Sequence, residues 1–84
     1  MISKNMTISI PSGLEARPVA LLVQVASRYD SSIYVECGNK KVNAKSIMGM
    51  MSLATPAGTA ITVTVDGPDE NAAMKGIEDF LTGK

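Results

Sequence analysis

The sequence predicts a two-layer α+β domain: a four-stranded antiparallel sheet with helices on one face, in the order β-α-β-β-α-β-α. Three observations lead there. Residues 4–10, 32–37 and 60–66 alternate apolar and polar side chains, the period of a half-buried strand. Two other segments carry apolar residues at the three-and-four spacing of an amphipathic helix. Gly, Pro and Asn punctuate the junctions.

In residues 4–10, Met6, Ile8 and Ile10 share one face, with Thr7 and Ser9 on the other. Pro11-Ser12-Gly13 ends this strand. Residues 16–27 then set Val19, Leu22, Val23 and Ala26 in a helical stripe. Pro18 lacks an N–H and fits only the first helical turn, so the helix starts close to Ala16 with Glu15 at the cap. Residues 32–37 turn Ile33, Val35 and Cys37 inward, and Gly38-Asn39-Lys40 makes a hairpin turn into a short return strand over 40–43, with Val42 inward. Ser46 is a good N-cap for about two turns of helix over Ile47–Leu53, in which Met50 and Leu53 are the better core candidates. Residues 54–59 read as loop, and Ile61, Val63 and Val65 line one face of the last strand. Gly67-Pro68-Asp69-Glu70 opens the final helix, with Pro68 near its first turn and Asp69 and Glu70 favouring its dipole. Ala73, Met74, Ile77, Phe80 and Leu81 face inward and Gly83 ends the helix.

The length of 84 residues suits one domain spanning the whole chain, without internal repeat or linker. At 45% hydrophobic residues there is enough material for a core. Eight basic and eight acidic residues cancel, which argues against direct nucleic-acid binding, since phosphate backbones demand a basic surface. Tyr29, Tyr34 and Phe80 form no cluster for base stacking. The single cysteine, Cys37, permits no internal disulfide and reads as inert packing. No segment is apolar enough to span a membrane, and the amino terminus alternates where a signal peptide would be continuously apolar, so a cytoplasmic location is expected. The chain contains no histidine, which removes imidazole catalysis, His-based metal sites and serine triads. No phosphate-cradling glycine motif is present either. An enzyme, a metal site and a cofactor are therefore not expected.

Two stretches carry a resemblance. "SGLEARPVALLVQVAS" and "KKVNAKSIMGMMSLATPAGTAITV" resemble HPr, the small phosphocarrier of the bacterial sugar phosphotransferase system. The resemblance covers nearly the whole chain and implies the family's open-faced β-sandwich. The family carries its phosphoryl group on the histidine of a GxHARP motif. Here that motif reads Gly13-Leu14-Glu15-Ala16-Arg17-Pro18, matching except at the acceptor. Ala54 stands where the family often has Gly. The sequence is similar to the catabolite-repression HPr paralogues of Gram-positive bacteria, which also lack the histidine but typically carry Gln there.

Three readings of Glu15 stand side by side. It is a helix-start charge, or a permanent imitation of a phosphorylated carrier, or an acceptor that forms an acyl phosphate. Arg17 can fold over the same point and pair with phosphate or a partner carboxylate. For Ser46, the residues alone say N-cap. The resemblance implies a regulatory site phosphorylated by the ATP-dependent HPr kinase/phosphorylase, with Lys45, Lys40 and Lys41 as neighbouring cations. Ile47, Met48 and Met51 are either ordinary core or an exposed docking patch, the family favouring the patch. The implied function is non-catalytic regulation of carbon catabolite repression, as a corepressor for a LacI-type transcription regulator that makes the DNA contacts itself. The alternatives are a phosphotransferase-system component that uses Glu15, and an HPr-like fold serving another pathway.

Overall fold

The computed structural model describes residues 1–9, 16–53 and 57–82. Its elements follow the predicted order: β1 (Ile2–Thr7), α1 (Ala16–Ser27), β2 (Ser32–Cys37), β3 (Lys40–Asn43), α2 (Ile47–Leu53), β4 (Ala60–Asp66) and α3 (Glu70–Thr82). The four strands form one antiparallel sheet in the order β1-β4-β2-β3. The sheet is open, with three helices on one side.

Strand alternation decides which side. Ile61, Val63 and Val65 of β4 and Ile33 and Val35 of β2 are buried beneath the helices. The register sets Val35 against Val63 and Ile33 against Val65, so these β-branched side chains form neighbouring pairs. From the helical layer, Val19, Leu22 and Ala26 of α1, Met50 and Leu53 of α2, and Ala73, Met74, Ile77 and Leu81 of α3 close the core. Cys37, Val42, Val23 and Phe80 pack against it half-buried. On the open side, Ser3 and Thr64 share a hydroxyl hydrogen bond of 3.0 Å, and Thr62 donates to Asn5 at 2.7 Å. Short polar side chains that bond one another suit a sheet face turned to water.

The first strand differs from the expected 4–10. It begins at Ile2, opposite Val65, because β4 is long enough to pair from that point, and its ladder ends at Thr7 opposite Ala60. Ile8 stays buried, but its N–H donates to Thr59 and its carbonyl accepts from Gly58. The Ser9 N–H then donates to Leu81 at the end of α3. Lys4 leans from the strand onto Glu78 of α3, with 2.6 Å between charges. Ile10, Ala54 and Gly83 lie outside the described residues.

At the start of α3, Pro68 stands near the first turn, as expected. Pro68 lies in a turn ahead of the helix, and the Ala73 N–H closes on the Asp69 carbonyl at 2.9 Å, making Asp69 the cap. Asp69 is fixed there by long-range bonds. Its carboxylate accepts the N–H groups of Asp30 and Ser31, each at 2.9 Å, and the hydroxyl of fully buried Ser31. These bonds, led by that of the Ser31 hydroxyl, hold the Asp69 carboxyl below its ordinary pKa. Gly67 makes the approach possible: a Cβ there would stand 2.6 Å from the Ser31 Cα. Beside it, Glu70 accepts the Gly67 N–H at 3.2 Å and the Met1 ammonium at 3.0 Å, and the ammonium chiefly lowers its pKa.

Candidate functional site

The turn before α2 places Ser46 by several independent anchors. Ala44 is fully buried, and its N–H donates to the Ile33 carbonyl at 2.8 Å, continuing the β2–β3 edge. The Asn43 side chain accepts the Lys45 N–H at 2.8 Å, an Asx turn, while the Asn43 carbonyl accepts the Ser46 N–H at 3.0 Å. The Lys45 ammonium reaches the Tyr29 carbonyl, just past α1, at 2.7 Å. Ser46 leaves this turn exposed. Its Oγ accepts the Gly49 N–H at 3.2 Å and its carbonyl accepts the Met50 N–H at 2.9 Å, which is N-cap geometry.

Each neighbouring lysine has a partner of its own. The Lys45 ammonium is engaged at Tyr29. Lys40 donates to the Ser52 carbonyl at 3.2 Å, in the last turn of α2, where a cation complements unpaired carbonyls. Lys41 stands over the Tyr34 ring, 5.2 Å from its centre. The hairpin separates neighbouring lysines across opposite faces of β3, and each finds a partner other than Ser46.

α2 is seven residues long and turns only Met50 and Leu53 inward. One stripe of a short helix can face the core, so the others remain outside. Met48 is 81% exposed, Met51 49% and Ile47 45%. On α1, Leu21 is 47% exposed and Arg17 is exposed too. The helical spacing already places Leu22 inward and leaves Leu21 off the stripe, and the structure agrees. Glu15 lies outside the described residues.

Chemically, Ser46 is an accessible hydroxyl already used as a hydrogen-bond acceptor. The chain has no histidine, so no imidazole of its own can take that hydroxyl's proton. Among the described residues no cluster of three potential metal ligands occurs, and no helix is long and apolar enough to cross a membrane.

Comparison with known proteins covers almost the whole chain. The family model described as the PTS HPr component phosphorylation site matches residues 2–83. The chain is 48% identical to the HPr-like protein Crh of Halalkalibacterium halodurans over 81 residues, 96% of each chain. It is 43% identical to the HPr-like protein Crh of Bacillus subtilis over 81 residues, 96% of this chain and 95% of that one. The crystal structure of HPr-C-His from Thermoanaerobacter tengcongensis superposes with a TM-score of 0.92 at 45% identity, over 100% of this chain and 98% of that one. The α+β architecture is thus the HPr fold, and the chain belongs to the HPr family, as an HPr-like regulatory or phosphocarrier protein with Crh proteins among its near relatives.

Proposed function

We propose that this protein is a non-catalytic regulator of carbon catabolite repression in the cytoplasm of a Gram-positive bacterium, acting as one domain over residues 1–84. HPr kinase/phosphorylase phosphorylates Ser46, and the phosphorylated form serves as corepressor for a LacI-type transcription regulator. The observation that carries this reading is an exposed serine hydroxyl held on a well-anchored turn beside exposed Ile47, Met48 and Met51.

Phosphate adds about −1.5 to −2 charges at neutral pH. At the start of α2 the unpaired N–H groups favour that charge, so the helix need not refold. Lys40, Lys41 and Lys45 hold other partners, which leaves the new charge for a cationic group of the regulator. The apolar side chains beside it supply contact area, and methionine adapts to more than one partner surface. Arg17, exposed on α1, pairs with phosphate or a partner carboxylate. The regulator makes the DNA contacts, because this chain carries no net positive charge. The phosphotransfer alternative rests on Glu15, which lies outside the described residues.

Incubation with HPr kinase/phosphorylase and ATP is expected to add the mass of one phosphate to the native protein and none to Ser46→Ala. An unchanged native mass would overturn the proposal. Immobilised regulator is expected to retain the phosphorylated protein and release the unmodified one.

A further inference from the structure

The residue that gates Ser46 is a glycine one helical turn away. The Gly49 N–H donates to the Ser46 Oγ at 3.2 Å, so residue 49 is held directly over the hydroxyl. A Cβ at position 49 would stand 3.4 Å from that Oγ, 3.5 Å from the Ser46 Cβ and 3.5 Å from the Val42 Cβ. The glycine therefore leaves a notch with Ser46 on one wall and Val42 of β3 on the other. Its backbone is ordinary helix: residue 49 is absent from the glycines of positive φ, so conformation does not require glycine here. Helix propensity opposes it, since glycine is the poorest residue after proline in a helix interior. What glycine supplies is open space against the hydroxyl.

We propose that Gly49 is a specificity-determining residue for phosphoryl transfer to Ser46, its missing side chain reserving the space that the incoming phosphoryl oxygens occupy. The inference rests on Ser46 being the kinase's acceptor. In the reaction the Ser46 Oγ bonds to the γ-phosphorus of ATP. The bond to the β,γ-bridging oxygen breaks, ADP leaves with the electron pair, and the hydroxyl proton passes to a base of the kinase. The phosphorus then carries three oxygens close to Oγ, where the hydroxyl carried one hydrogen. A methyl group at 49 makes ordinary contact with the unmodified serine and crowds those oxygens. A branched or long side chain has to leave the notch across Oγ, because Val42 closes the other wall.

The test compares native protein, Gly49→Ala and Gly49→Val as substrates of HPr kinase/phosphorylase with ATP. Mass spectrometry follows Ser46, and thermal melting confirms that each variant folds. The expected kcat falls about tenfold for Ala and at least a hundredfold for Val, while KM for the protein stays within about threefold. Gly49→Ala melts no lower than the native protein. Equal kcat for all three proteins, or a loss confined to KM, would overturn the notch, the latter by pointing to kinase docking. If native protein itself takes up no phosphate, it is the assignment of Ser46 that fails. A second readout covers a Val variant that does not fold: in Gly49→Ala the reverse reaction from phosphoserine should be altered too, because the crowded state is the phosphorylated one.

Discussion

Two helices of this protein begin on an oxygen-bearing cap, and the two caps are built to opposite ends. At α3 the Asp69 carboxylate is bonded to the turn between α1 and β2, over a buried Ser31 and against a glycine that admits no side chain. At α2 the Ser46 hydroxyl carries one local bond, faces solvent, and neighbours a glycine whose missing side chain leaves room. The first cap ties distant parts of the chain together. The second sits on an equally anchored turn, yet its own oxygen is left unencumbered. A cap can thus be a fastening or a handle, and the distinction lies in what else reaches the capping atom.

The sharpest way to break this comparison is to make the same substitution beside both caps. Gly67→Ala forces a Cβ to within 2.6 Å of the Ser31 Cα, a backbone atom with no rotamer to yield. Overpacking of that kind costs about 1–3 kcal/mol. Urea denaturation is expected to show a loss near the upper end, because positive φ at residue 67 adds strain. Gly49→Ala meets contacts at 3.4 Å and longer, so the gain in helix propensity, up to about 1 kcal/mol, is not cancelled. Equal effects at the two sites would mean that the caps do not differ as described.

Removing the capping atoms themselves gives a smaller separation in the same direction. Ser46→Ala loses one cap bond whose N–H partner can turn to water, about 1 kcal/mol. Asp69→Ala strands the N–H groups of Asp30 and Ser31 and a buried hydroxyl at once, and is expected to lower the urea midpoint further. Acid separates the caps as well. The Asp69 carboxyl has a folded-state pKa below its ordinary 3.8, caused first by the Ser31 hydroxyl and then by the Asp30 N–H. Its contribution is therefore complete above pH 3.8 and is lost as pH falls through the lowered folded value. Asp69→Asn should flatten that part of the pH–stability curve, and Ser46→Ala should leave its shape unchanged.

How much of this was legible in the sequence follows from what each feature depends on. Alternation in 60–66 and the stripe in 16–27 depend on local period, and both elements stand at the expected residues. Ser46 as a cap, and Met50 and Leu53 as the buried pair of α2, follow from local spacing too. The start of β1 depends on the pairing of Ile2 with Val65 in a distant strand, and stands two residues before the expected one. The bond between Asp69 and Ser31 crosses 38 residues and has no local signature, so it is not legible in the sequence. The partners of the lysine ammonium groups are not legible either, since the strand pleat and the ends of α1 and α2 decide them.

The smallest stability effect expected of the open cap belongs to its most exposed neighbour. Met48 is 81% exposed, so Met48→Ala removes side-chain atoms that were already in water and should shift stability by no more than about 0.5 kcal/mol. Met50, two residues along the same short helix, is fully buried, and its replacement by alanine should cost about 2–5 kcal/mol. If Met48 serves recognition, the same substitution that leaves the urea midpoint alone should weaken binding of the phosphorylated protein to the regulator by tenfold or more, measured by calorimetry. Phosphate uptake at Ser46 provides the control: a Met48→Ala protein that is phosphorylated normally and then fails to bind places Met48 in the docking surface. One that binds undiminished leaves the phosphate and the cationic partner group to carry recognition alone.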